Sequence, residues 1–199
     1  MSPLADAIAE IAVRESPWRR AFLSQIAPQS GDVIIEIGCG RGELTMLMAA
    51  AAPGATIIAI DADENAIAQA VERANVASTQ VRFIRGDARD LPQLTAAWAP
   101  NKIVSSLLMH GMRAHEQMII LRAARSALRK GGALHCAEYG VQSTALMRTL
   151  LRAFQGIEIT DARALTKLMR DAGFQAVDES RRIDSATGTV SLFSGRTEF

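Results

Sequence analysis

The sequence contains few cysteines, few aromatic side chains and no excess of charge of either sign. Among its 199 residues there are two cysteines, and phenylalanine, tryptophan and tyrosine together make up 5%. Two cysteines cannot build a disulfide framework, which favours a reducing compartment and predicts a cytoplasmic protein. The 22 basic and 21 acidic side chains nearly cancel. This balance argues against a nucleic-acid binder that relies on bulk electrostatics.

Long apolar runs and a leader pattern are missing as well. The first ten residues, MSPLADAIAE, carry acidic side chains early and lack a basic stretch followed by an apolar one. No run reaches the roughly 18 apolar residues that a membrane span requires. The length fits a single domain over residues 1–199, and a 49% hydrophobic fraction predicts a folded, globular chain.

Short strand-like runs alternate with helical patterns along the sequence. The strand-like runs cover residues 33–37, 56–60, 81–84, 103–108 and 133–137. The helical patterns cover residues 4–13, 17–26, 43–52, 64–75, 91–98, 115–128, 144–154 and 161–172. This alternation predicts an α/β protein with a parallel sheet that helices cover on both faces. Two further runs, at 174–183 and 189–194, predict an antiparallel pair at the edge of the sheet.

A glycine-rich turn follows the first strand. Gly38, Gly40 and Gly42 have the spacing G-x-G-x-G at the carboxyl end of a strand, where open α/β sheets bind ligands. The dinucleotide fingerprint G-x-G-x-x-G would place its third glycine at position 43, where this chain has Glu43. An acidic side chain there would repel a pyrophosphate at the helix N-terminus. The neighbouring Arg41 means that local charge alone does not decide the matter. We expect a nucleoside that carries no pyrophosphate.

Acidic residues follow the next two strands. Asp61 ends the second strand, where a carboxylate can accept both hydroxyls of a ribose. It could equally cap the following helix, although Asp63 suits that role better. After the third strand, Asp87 can accept a hydrogen bond from an exocyclic amine, and the backbone N–H of Ala88 can donate to a ring nitrogen. Alternatively, Asp87 is a solvated acid in a loop. Together these strand ends describe an adenosine site.

These motifs occur together, and in order, in a known family. The segment VIIEIGCGRG at residues 33–42, followed by Asp61, Gly86-Asp87-Ala88, SSLLMH at 105–110 and LRKGG at 128–132, resembles the class I S-adenosylmethionine-dependent methyltransferases. The similarity is greatest to the small-molecule branch that includes the ubiquinone and menaquinone C-methyltransferases. It implies a Rossmann-like, mostly parallel sheet of seven strands, with helices on both faces and an antiparallel C-terminal strand.

The resemblance also implies which residues bind S-adenosylmethionine. They are Glu36, Gly38, Gly40, Gly42, Asp61, Ala62, Asp87, Ala88 and Ser105. Glu36 would order the turn and approach the methionine amine, Ala62 would lie near the adenine, and Ser105 would lie near the methyl group. The chain departs from many relatives at His110-Gly111-Met112, where they carry His-His-Leu. The Asn/Asp-Pro-Pro-Tyr signature of amino-group methylation is replaced by VSSL at 104–107, which disfavours base N-methylation.

The sequence also suggests residues that would contact the acceptor. His110, just beyond the fourth strand, is the candidate catalytic residue, because an imidazole titrates near neutral pH and suits a general base. Hydrogen bonds to the backbone could equally give it a structural role. Glu138, Tyr139 and Met147 are candidate substrate contacts, although the first two could belong to an ordinary loop. No group of cysteines and histidines has metal-ligand spacing, so we expect no metal.

The most direct interpretation is methyl transfer from S-adenosylmethionine to a small molecule. Residues 1–30 are predicted to form a helical cap and residues 140–160 a lid, whose apolar content favours an apolar or aromatic acceptor. An RNA or protein methyltransferase would share the cofactor site, and a basic patch would favour RNA. A non-catalytic, methyltransferase-like binding subunit is a third possibility. A nicotinamide oxidoreductase is a fourth, against which Glu43 argues. The sequence does not define the oligomeric state.

Overall fold

The computed structural model describes residues 17–77, 81–110, 112–140, 162–185 and 188–198. Its helices α1 to α6 span Pro17–Ile26, Glu43–Ala51, Glu64–Val76, Leu91–Leu94, Ala114–Ala127 and Ala162–Asp171. Its strands β1 to β7 span Val33–Ile37, Thr56–Asp61, Arg82–Arg85, Lys102–Ser106, Ala133–Tyr139, Gln175–Ser185 and Gly188–Arg196. The helices predicted at 4–13 and 144–154 lie outside the described residues, as do most of the predicted lid and Met147.

All seven strands belong to one sheet, in the order β3-β2-β1-β4-β5-β7-β6. The first five strands pair in parallel, and the register places Ile35 of β1 opposite Ile58 of β2 and Ile103 of β4. Strand β7 runs antiparallel between β5 and β6. This arrangement confirms the Rossmann-like fold with seven strands and an antiparallel C-terminal strand. It also puts the predicted antiparallel pair at the edge, with β6 outermost.

The central strands are apolar on both faces because both faces are covered by helices. In β1, Ile35 and Ile37 belong to one buried cluster, which includes residues of α5 and α6. Ile34 points the other way, into a second cluster with Trp18 and Phe22 of α1. A strand buried on both sides needs a nearly continuous apolar run rather than alternation, and β1 has such a run with Glu36 as its one exception.

Two elements end two or more residues earlier than the sequence predicts. Strand β4 ends at Ser106 rather than Leu108, because Leu107 adopts a left-handed conformation with φ of 53° and its N–H donates to the Ala137 carbonyl at 2.7 Å. The helix predicted over 91–98 covers only Leu91–Leu94. There the Thr95 hydroxyl donates to the Leu91 carbonyl at 2.7 Å. Such local side-chain bonds compete with helix continuation. None of the described helices is long and apolar enough to cross a membrane.

Candidate active site

A cavity of about 210 Å³ lies at the carboxyl edge of the sheet. Strand β2 flanks β1 on one side and β4 flanks it on the other, so the strand order reverses here. Open α/β sheets bind their ligands at such a point. The cavity wall includes five of the residues that the sequence assigns to the cofactor: Gly38, Asp61, Ala62, Asp87 and Ala88. The structure therefore gathers the ends of β1, β2 and β3 around one space.

The glycine turn depends on backbone conformations that favour glycine. Gly38, Gly40 and Gly42 have φ values of 70°, 54° and 80°. A Cβ on Gly38 would lie 2.7 Å from Cδ1 of Leu108, whereas a Cβ on Gly40 would meet no atom within 4 Å among the described residues. Gly38 thus permits close packing against the loop after β4, and Gly40 borders open space.

The carboxylate of Asp61 braces this turn. Its Oδ2 accepts from the N–H of Gly40 at 2.7 Å, and its Oδ1 accepts from the N–H of Asp63 at 2.9 Å. The cap of α3 is Asp63, as expected, since its Oδ1 accepts from the N–H groups of Asn65 and Ala66. A carboxylate has about four acceptor positions. Asp61 therefore keeps acceptor capacity for hydroxyl donors while it holds the turn.

Asp87 is bound by a neighbour that the sequence did not reveal. The backbone N–H and Nε of Arg89 donate to Oδ1 of Asp87 at 2.8 and 2.9 Å, and Nη2 donates to Oδ2. Hydrogen bonds from the Arg89 side chain hold the pKa of Asp87 below its ordinary value, although partial burial opposes them. Asp87 is therefore ionised at neutral pH. An amine that donates a hydrogen bond to Asp87 must bind the carboxylate together with Arg89.

Glu36 is fully buried in β1, two residues before the glycine turn. Its Oε2 accepts from the hydroxyl of Thr45 on α2, while Oε1 has no hydrogen-bond partner in the described part of the chain. Burial raises the pKa of Glu36 to about 8, and the Thr45 hydrogen bond and the charge of Arg19 oppose that shift. The side chain is therefore mainly a neutral acid at pH 7.

The loop after β4 is held at both ends by buried side chains. Glu138 of β5, which is 1% exposed, accepts from the three backbone N–H groups of residues 108–110 at distances of 2.8–3.2 Å. Gln117 of α5 donates to the carbonyls of Met109 and Met112 at 3.0 and 3.1 Å. These contacts fix the loop against the sheet and bring part of it to the cavity.

The remaining predicted residues do not belong to the cavity wall. The rings of His110 and Tyr139 meet edge to face, with centroids 5.2 Å apart. Ser105 is buried at the end of β4, and its hydroxyl has no hydrogen-bond partner within the described ranges. Glu138 of β5 contacts the loop after β4 and is not part of the cavity wall, so its assignment as a substrate contact stays a prediction.

Further residues of the wall were not predicted. They are Ile60, Gly86, Arg89, Leu108, Met112, Glu116 and Ile120. Glu116 and Ile120 are four positions apart on α5, a spacing that places them on one helix face and could have indicated a shared role. No sequence pattern indicated that Arg89 would bind Asp87. Within the described ranges, no cluster of three histidine, cysteine or acidic side chains could hold a metal ion.

The chain is similar in sequence to known methyltransferases. Residues 34–132 match the family model of a methyltransferase domain. A ubiquinone/menaquinone biosynthesis C-methyltransferase of Rubrivivax gelatinosus is 28% identical over 178 residues, which cover 89% of this chain and 66% of that protein. A tRNA (guanine-N(7)-)-methyltransferase of Mycobacterium avium is 44% identical over 64 residues, which cover 31% of this chain and 24% of that protein.

A solved structure supports the fold. Magnesium protoporphyrin IX methyltransferase of Synechocystis, solved with bound S-adenosylmethionine, superposes with a TM-score of 0.70 at 14% identity. The superposition covers 91% of this chain and 80% of that one. Because the identity is low, this likeness bears on the fold alone.

The sheet order, the glycine turn and the matched domain identify the chain as a member of the class I S-adenosylmethionine-dependent methyltransferases. Its extended similarity to the ubiquinone/menaquinone C-methyltransferases places it close to that branch. The chain spans about two thirds of the first of those relatives and about a quarter of the tRNA methyltransferase.

Proposed function

We propose that the chain binds S-adenosylmethionine in this cavity and transfers the methyl group to a small apolar or aromatic molecule. The contact between the Gly40 N–H and the Asp61 carboxylate carries the proposal, because it joins the glycine turn to the end of β2 beside the cavity. Asp61 would accept the ribose hydroxyls. Asp87 would accept the adenine amine, and the N–H of Ala88 would donate to a ring nitrogen.

The residues present fit such a cofactor. No atom of the described residues lies within 4 Å of the position of a Cβ on Gly40, so a ligand could approach the backbone closely there. The cavity of about 210 Å³ is smaller than ligand pockets of roughly 300–1,000 Å³. We expect the cap at residues 1–30 and the lid at residues 140–160 to add to this wall.

The protein's part in the reaction is alignment and exclusion of water. S-adenosylmethionine, when bound, supplies a methyl group that the positively charged sulfur has already activated. Leu108, Met112 and Ile120 give the cavity an apolar wall, which keeps water away and favours an apolar acceptor. If the acceptor carries a labile proton, His110 would be the residue that takes up this proton.

The small-molecule acceptor is supported by the extent of similarity. The match to the Rubrivivax gelatinosus C-methyltransferase runs over 89% of this chain, whereas the match to the Mycobacterium avium tRNA enzyme covers 31%. The near-zero net charge also gives no bulk attraction to a phosphate backbone. Both observations favour a small molecule over RNA.

Calorimetric titration with S-adenosylmethionine and S-adenosylhomocysteine tests the cofactor assignment. We expect wild-type protein to bind both, and Asp61→Asn to lose at least about tenfold in affinity, because hydrogen bonds to a charged group contribute about 1.5–3 kcal/mol each. Asp63→Asn is the matched control, since Asp63 lies outside the cavity wall and asparagine caps helices equally well. If wild-type protein binds neither ligand, the proposal is wrong and a non-catalytic binding subunit becomes the better account.

Transfer of a radiolabelled methyl group tests the acceptor class. Purified protein would be incubated with labelled S-adenosylmethionine and either a panel of apolar aromatic compounds or total tRNA. We expect label in the aromatic compounds. Label in tRNA alone would show that the small-molecule assignment is wrong while the cofactor site stands.

A further inference from the structure

Glu138 has one acceptor position that the loop after β4 does not use. An ionised carboxylate offers about four such positions. Oε1 accepts from the N–H groups of Leu108 and Met109 at 3.0 and 2.8 Å, and Oε2 accepts from the N–H of His110 at 3.2 Å. The fourth position therefore belongs to Oε2, the oxygen that lies nearer His110.

The ring of His110 presents its Nδ1 to that oxygen. Nδ1 lies 3.6 Å from Oε2 of Glu138, is itself buried, and has no hydrogen-bond partner in the ranges that the structure describes. The distance exceeds that of an ordinary hydrogen bond, which is about 2.7–3.2 Å. Contacts of catalytic groups are often long in the absence of ligand and shorten when the site is filled.

The chemistry of a neutral imidazole then decides which nitrogen holds the proton. One ring nitrogen donates and the other accepts. If Nδ1 carried a lone pair, that lone pair would be repelled by the carboxylate oxygen of Glu138. If Nδ1 carries the proton, the N–H is attracted to the same oxygen. The edge-to-face contact with Tyr139 restricts rotation of the ring away from this arrangement.

We propose that Glu138 is a positioning residue, which holds His110 with its proton on Nδ1 and leaves Nε2 as the proton acceptor. The inference rests on the proposed function, in which His110 takes a proton from the acceptor molecule. When Nε2 gains that proton, the ring becomes a cation whose Nδ1–H faces a carboxylate. The same carboxylate fixes the backbone N–H of Leu108, whose side chain packs against Gly38. Glu138 therefore couples the position of His110 to that of the glycine turn.

Long-range ¹H–¹⁵N NMR of the histidine rings tests this inference without an acceptor. The chain has three histidines, so the His110 signals are identified as those that His110→Asn removes. In alkaline buffer, where imidazoles are neutral, we expect His110 to carry its proton on Nδ1. Free histidine prefers the proton on Nε2, and a wild-type His110 with that preference would overturn the proposal.

Two variants separate the contact from a general effect of charge. Glu138→Gln is expected to move most of the His110 population to the Nε2–H form. Glu72→Gln removes an exposed carboxylate from α3 and is expected to leave the tautomer unchanged. An equal shift in both variants would contradict the proposal. If Glu138→Gln fails to fold, the wild-type tautomer alone decides.

Calorimetry with S-adenosylhomocysteine on the same samples separates this inference from the function on which it rests. Wild-type protein that binds S-adenosylhomocysteine, with His110 in the Nε2–H form, overturns only the role of Glu138. Wild-type protein that does not bind either cofactor form overturns the proposed function itself.

Discussion

Replacing Glu36 by glutamine is expected to stabilise the chain at alkaline pH. Burial raises the pKa of Glu36 to about 8 from an ordinary value of 4.5. Between these two pH values the folded chain keeps a proton that the unfolded chain has released. The folded state therefore binds more protons in this window, and the free energy of unfolding falls as the pH rises through it.

The magnitude follows from the difference between the two pKa values. That difference is about 3.5, and each pKa unit corresponds to about 1.4 kcal/mol, so Glu36 lowers the free energy of unfolding by about 5 kcal/mol above pH 8. Native domains have about 5–15 kcal/mol in total. Glutamine has nearly the same shape, cannot ionise, and can still accept the Thr45 hydrogen bond through its amide oxygen.

Urea denaturation at pH 5 and pH 8.5 measures the effect. We expect the Glu36→Gln variant to exceed wild type by several kcal/mol at pH 8.5 and to match it closely at pH 5. Glu72→Gln, which removes an exposed acid, should follow wild type at both pH values. The reasoning would be refuted if, from pH 5 to pH 8.5, the free energy of unfolding of wild type fell no more than that of Glu36→Gln. The Glu36→Gln variant should also bind the cofactor more weakly than wild type, because a residue that lowers stability is often retained for its function.

Two further changes affect stability alone. Burial lowers the pKa of His135 to about 4 from 6.5, so the unfolded chain binds more protons between these pH values. The free energy of unfolding should fall by about 3 kcal/mol as the pH drops through that window, and acid titrations of His135→Gln should lack this component. Ala27, just after α1, is exposed and has a φ of 44°. Ala27→Gly should raise the free energy of unfolding by about 1 kcal/mol in urea, because glycine adopts this conformation without strain.

The parts of the fold and site that follow from local pattern could be predicted from the sequence. The run at Val33–Ile37 is apolar except for Glu36 because its strand is buried on both faces. The spacing of Gly38, Gly40 and Gly42 reflects three positive φ angles in one turn. Asp61 could be placed beside that turn because neighbouring parallel strands end at the same edge of the sheet.

The parts that depend on distant contacts could not be predicted. Strand β4 stops two residues early because Leu107 turns into a left-handed conformation, and the loop beyond it binds Glu138, which lies 28–30 positions further along the chain. Sequence periodicity reports which face of an element is buried, and it does not report which backbone N–H a carboxylate will bind. For the same reason no sequence signal indicated that Glu138 binds this loop or that Arg89 pairs with Asp87.

The position of β7 in the sheet has a consequence for synthesis of the protein. Strand β6 pairs with β7 and with no other strand of the described sheet, although β6 leaves the ribosome first. Residues 175–185 must therefore wait, with their backbone groups exposed to water, until residues 188–196 have emerged and can pair with them. The first five strands can assemble while the chain is still growing, whereas β6 and β7 can complete the sheet only after β7 has been synthesised.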